Sequence, residues 1–98
     1  MKLLDFYKEI KKNGEFYVWS IAMAFVVFNS VDCFVDNPTD EVYEVLYRSC
    51  VNAYMKSEDI PLPRIADRVA KGYNNGEFTL EELQNMGAYQ ILGLVDIW

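Results

Sequence analysis

No histidine occurs among the 98 residues. Its absence removes the side chain that titrates nearest neutral pH, the commonest metal ligand, and every Ser-His or Cys-His nucleophile pair. Cysteine is almost as scarce, with Cys33 and Cys50 standing alone. Two thiols without histidine make a poor zinc site, and a buried cysteine of this kind behaves as a small apolar residue. Few cysteines, and a start studded with Lys2, Asp5, Lys8, Glu9, Lys11 and Lys12 in place of an apolar secretion signal, point to a reducing cytoplasm. Positive charge is short as well: nine Lys and Arg face fifteen Asp and Glu, for a net charge of −6. That balance repels a phosphate backbone and starves any counterion-release term, so direct binding of nucleic acid is not expected. A long apolar span is also missing. The run from Phe16 to Phe28 is broken only by Ser20, but it covers thirteen residues, and a membrane-spanning helix needs roughly 20. Walker loops, dinucleotide fingerprints and nucleophile elbows do not occur. Carboxylate neighbours such as Asp40 with Glu44, or Glu58 with Asp59, fall on wet positions where the perturbed pKa of a working acid or base is not expected. Catalysis, a cofactor and a metal are therefore not expected.

What is present favours a single folded domain. Hydrophobic residues make up 52% of the chain and charged residues 24%, a balance that supports one packed core at this length. Leu3, Phe6, Tyr7 and Ile10 recur at helical spacing, and Gly14 follows where a left-handed cap would sit, so residues 2–13 read as a short amphipathic helix. Residues 16–35 read as a hydrophobic helix, with Ala22, Met23 and Ala24 inside it and other elements covering it all round. Asn37-Pro38-Thr39-Asp40-Glu41 reads as a helix start, with Asn37 as cap and Pro38 in the first turn. The helix after it turns Val42, Val45, Leu46, Ser49, Cys50 and Ala53 inward and Glu41, Glu44, Arg48 and Asn52 outward. Tyr43, Tyr47 and Tyr54 flank the inward stripe, and Glu44 with Arg48 forms an i, i+4 pair. Pro61 and Pro63 break the chain before a short helix that Gly72 ends. Thr79 and Glu82 make a capping box with a Phe78–Leu83 staple, opening a last helix from Leu80 into residues 91–95. Gly87 and Gly93 in that helix mark close packing or a weak point. The expected architecture is all-α, a compact bundle of four or five helices around the hydrophobic helix, with connections near 36–38, 57–62 and 72–78.

Two partial motifs fail on their chemistry. Asn75-Gly76-Glu77-Phe78-Thr79 through Glu82 resembles the second half of an EF-hand loop, but counting back puts Lys71 and Tyr73 where calcium needs oxygen donors. Residues 62–83 can be cast as a helix-turn-helix with Arg64, Arg68 and Lys71 as its basic face. Its reading helix would then present Glu81 and Glu82 to the bases. A dimeric regulator of this kind is the alternative reading.

The acids are unevenly distributed. Residues 14–60 hold Glu15, Asp32, Asp36, Asp40, Glu41, Glu44, Glu58 and Asp59 against Arg48 and Lys56. The chain also carries seven Tyr, six Phe and two Trp, and Tyr43, Tyr47, Tyr54, Tyr73 and Trp98 are more than so small a core is expected to absorb. Acids that steer and tyrosines that make contact suit a protein–protein interface. The expectation is a small acidic module that occupies a basic surface of a partner protein as an inhibitor or adaptor. Its candidate binding residues are Asp36, Asp40, Glu41, Glu44, Tyr43, Tyr47, Glu58 and Asp59. In size and charge the chain resembles the loose class of phage-encoded anti-defence proteins, including anti-CRISPR inhibitors and DNA mimics, whose acids stand in for phosphates. A third reading is self-association, as a homodimer or larger assembly, through the apolar C-terminus ending in Ile97 and Trp98.

Overall fold

A computed structural model describes residues 18–57 and 59–96, together with Asp5 and Lys8 of the N-terminal segment. The described residues form five helices and no strand: α1 (Val18–Phe34), α2 (Asp40–Lys56), α3 (Leu62–Asn74), α4 (Leu80–Asn85) and α5 (Ala88–Asp96). Side chains are described from Ala22 onward within α1. The all-α bundle is as expected. Asp5 and Lys8 are helical and exposed, and the rest of the helix expected over 2–13 lies outside the described residues. None of the described helices is long and apolar enough to cross a membrane.

The connections α1–α2 and α2–α3 are short, and the helices they join therefore alternate in direction. The direction of α1 against α3 is fixed by three cross-links of nearly constant offset. Ser30 donates to Asp67 Oδ1 at 2.6 Å, Lys71 Nζ lies 4.5 Å from the centroid of the Phe34 ring, and the Asp36 N–H donates to Asn74 Oδ1 at 3.1 Å. Residue i of one helix thus meets residue i+37 or i+38 of the other, so α1 and α3 run parallel and in register. Helix α2 packs against all four other helices, whereas α1 packs mainly on α3 and α2. The reason lies in the stripe that α2 buries: Val42, Tyr43, Val45, Leu46, Tyr47, Cys50 and Ala53 cover more than half of its circumference.

Helix α1 departs from the expected all-round cover. Ala24, Val27, Phe28, Ser30 and Val31 are buried at helical spacing, while Ala22, Phe25, Asn29, Asp32 and Cys33 face out, Phe25 at 61% exposure. With its main neighbours on one side, a cylinder keeps an open face, however apolar its sequence. The buried polar side chain of Ser30 is satisfied by Asp67.

The helix ends refine the expected boundaries. At α2 the cap is Thr39, whose Oγ1 accepts from the Val42 N–H at 3.3 Å, in place of Asn37. Asn37 takes the left-handed turn before it, with φ 50°, which Asn tolerates better than most residues. Gly72 does not end α3, which continues to Asn74. The stop is made by Gly76 at φ 78°, with the Glu77 N–H on the Gly72 carbonyl at 2.9 Å and the Gly76 N–H on the Tyr73 carbonyl at 3.2 Å, the paired bonds of a Schellman ending. Gly72 serves packing instead, because a Cβ there would stand 2.7 Å from the buried Phe78 ring. The capping box opening α4 is present in both directions, 3.0 Å from Thr79 N–H to Glu82 Oε1 and 3.1 Å from Glu82 N–H to Thr79 Oγ1. Phe78 and Leu83 are both buried beside it. The last helix expected from Leu80 is split in two at Met86-Gly87, where the Gln90 side chain accepts the Gly87 N–H at 2.9 Å and restarts the chain as α5. Gly93 is exposed with open space around it, so close packing is not its role.

Candidate functional site

Because α1 and α3 run parallel and α2 runs back against both, one end of the bundle collects the last turns of α1 and α3 and the first turns of α2 and α4. Eight described carboxylates meet there: Asp32 from α1, Asp36 from the loop, Asp40, Glu41 and Glu44 from α2, Glu77 from the turn after α3, and Glu81 and Glu82 from α4. All are exposed except Glu44, which is half-buried. Against them stand Arg48, Arg68 and Lys71, each already engaged within the fold. Arg48 Nε donates to Glu44 Oε1 at 3.4 Å, the i, i+4 pair read from the sequence. Arg68 Nη1 donates to Glu77 Oε2 at 2.6 Å with only 12% of the Arg68 side chain exposed, and Lys71 lies over Phe34.

Some of these acids have a local reason to be where they are. Asp40 and Glu41 occupy the first turn of α2, and Glu81 and Glu82 that of α4, where the positive end of the helix dipole favours them. Asp32 and Asp36 have the opposite environment. The last turn of α1 carries no basic residue, so these two acids add to a helix end that is already negative. Asp32 is held there by the Tyr43 hydroxyl, which donates to its Oδ1. The phenol of Tyr43 is pushed up to about 12 by this hydrogen bond, then by burial, then by the charges of Asp32 and Asp40. Its ring also tilts against Phe28 with centroids 4.9 Å apart.

The candidate residues read from the sequence separate into three groups. Asp36, Asp40, Glu41 and Glu44 share the acidic end. Tyr43 and Tyr47, expected as contact residues, are buried at 9% and 6% exposure and belong to the core. Their wide rings flank the inward stripe of α2, and that helix is enclosed on several sides, so the core absorbs them. Asp59 lies in the α2–α3 connection, beyond the far end of α2, and a 17-residue helix separates it from Asp40 by about 25 Å. Glu58 lies outside the described residues, as do Ile97 and Trp98 of the proposed C-terminal contact. Sequence reasoning missed Asp32 as an acid anchored by Tyr43, and it missed Glu81 as a neighbour of Asp36, because those two meet through the α1–α3 register rather than along the chain.

Described residues line several surface hollows. One lies between α2 and α4, lined by Glu41, Glu44, Val45, Arg48, Asn52 and Met86 among others, and Arg48 supplies a cation to it. A second, beside Tyr54, Met55, Asp59 and Ile60, lies at the far end. A third, of about 640 Å³, opens at the acidic end between the α1–α2 loop and the α3–α4 turn, with Asp36 on one side and Glu81 on the other. Among the described residues, no group of three or more Cys, Asp or Glu side chains is arranged to hold a metal ion. Burial pushes the Cys50 thiol well above its ordinary range, which makes it an inert core group. Comparison with known protein families, with characterised proteins and with solved structures gives no significant match.

Proposed function

We propose that this protein acts by stoichiometric binding, as an inhibitor or adaptor, with its acidic end seated on a basic surface of a partner protein. The observation that carries this reading is the convergence of eight described carboxylates from three helices, a loop and a turn on one end, with the neighbouring described cations Arg48, Arg68 and Lys71 held in internal contacts. Two of those acids, Asp32 and Asp36, sit at a helix end that disfavours them, so helix stability alone does not account for the cluster. A surface of this charge accelerates encounter with a basic partner and rejects acidic ones. A basic surface that ordinarily holds nucleic acid is the complement it fits best. That role is the one implied by the chain's resemblance in size and charge to anti-defence proteins that mimic DNA.

The regulator reading gains no support from the geometry. Arg68 is tied to Glu77 and Lys71 lies over Phe34, leaving Arg64 as the exposed cation of the expected basic face. The test of the proposal is affinity capture from a bacterial lysate at low and high salt, comparing the wild type with a Glu41→Lys, Glu81→Lys variant. A protein retained by the wild type, released by salt and lost in the variant is the expected result. Retention of nucleic acid, or of a protein indifferent to both charges, refutes it.

A further inference from the structure

We infer that the hollow at the acidic end is a docking site for an arginine side chain carried on a basic segment of the partner. The inference rests on the acidic-end reading and names the place and the chemical group through which it operates. The lining is Val35, Asp36, Tyr73, Asn74, Phe78 and Leu80, with Thr79 and Glu81 completing it. Apolar and aromatic groups form much of the wall, with a carboxylate on each side. Tyr73 is half-buried and lines the hollow. Asp36 and Glu81 are exposed, and neither forms an ion pair among the described residues.

This combination selects for arginine over other cations. A guanidinium is planar, is weakly hydrated, stacks on aromatic faces and offers a fork of donors that matches a carboxylate. An ammonium is a compact, strongly hydrated point charge. The aliphatic stem of the arginine would lie against Val35 and Leu80, as long basic side chains do on apolar surface. Both rims are already fixed. The Asp36 backbone is pinned by its N–H bond to Asn74 Oδ1, and the first turn of α4, which carries Glu81, is locked by the Thr79–Glu82 capping box. A site held in this way loses little conformational freedom on binding. The α2–α4 hollow is less suited to a cation, because Arg48 already lines it and pairs with Glu44.

The test is a nuclear magnetic resonance titration of the full chain with three short peptides that differ at one position: arginine, lysine, or citrulline, the neutral isostere of arginine. The expected result is saturable shifts of the Asp36, Tyr73, Asn74 and Glu81 amides with the arginine peptide, weaker shifts with lysine and none with citrulline. An Asp36→Asn, Glu81→Gln variant should weaken arginine binding by roughly tenfold or more, the scale of lost charge-assisted hydrogen bonds. Both side chains are exposed, so the substitutions leave the core intact. Equal binding of the arginine and lysine peptides, with shifts spread over Asp40, Glu41 and Glu44, overturns the docking site and leaves the acidic-end reading standing. No binding of either cationic peptide overturns both.

Discussion

The Tyr43 hydroxyl gives the sharpest prediction because its effect has a defined pH window. Tyr43 is buried, its ring packs on Phe28, and its hydroxyl donates to the Asp32 carboxylate. Tyr43→Phe keeps the ring and deletes one hydrogen bond to a charged acceptor, a change that costs about 1.5–3 kcal/mol. Because Asp32 is exposed and regains water, the lower half of that range is expected. The pH dependence follows from the phenol's rise from 10.0 to about 12 on folding. A raised pKa means that the unfolded chain ionises first, so the stabilisation is complete below the unfolded value and is lost as pH rises toward the folded one. The stability gap between wild type and variant should therefore stay constant to about pH 9 and narrow steadily as pH rises from the unfolded value of 10.0 toward the folded value of about 12. Cys50 also resists ionisation in the folded state, but both proteins carry it, so it cancels in the difference. Urea unfolding at stepped pH measures the gap, and the phenolate absorbance difference between the two folded proteins measures the titration directly. Two stability curves that run parallel to the most alkaline point, or a Tyr43 phenolate that appears at its ordinary pH, would refute the reasoning.

Three further outcomes rest on the bundle. Ser30→Ala removes the donor that Asp67 Oδ1 accepts between α1 and α3, and chemical denaturation should register a loss of about 1–3 kcal/mol, whereas Asn29→Ala, one residue away on the exposed face, should change little. Gly76 and Gly93 both have open space where a Cβ would go, but Gly76 has φ 78° and Gly93 lies within α5. Gly76→Ala should lower stability by about 1–2 kcal/mol, and Gly93→Ala should raise it by up to about 1 kcal/mol; matching signs would contradict the backbone argument. Thr79→Ala removes the N-terminal cap of α4 and should cost about 1 kcal/mol. Hydrogen exchange should show the loss first at the amide of Glu82, which loses its acceptor.

Local sequence chemistry was enough to place most of the helices, though not the break at Met86-Gly87 that divides the last one. The Thr79–Glu82 box, the Glu44–Arg48 pair, and the inward positions Val42, Val45, Leu46, Cys50 and Ala53 were all legible, because each depends on residues within one or two turns of each other. The position of the acids was legible only in part. Asp36, Asp40, Glu41 and Glu44 are neighbours along the chain, and their grouping follows from that alone. That Asp59 would not join them follows from the length of α2, whereas whether Glu81 would join them depended on the parallel register of α1 and α3, which is set by Ser30–Asp67 and Asp36–Asn74, contacts 37 and 38 residues apart. The burial of Tyr43 and Tyr47 and the exposure of Phe25 were likewise tertiary decisions. Side-chain type sets what burial is worth to a residue, but which side of a helix is covered depends on where its neighbours pack.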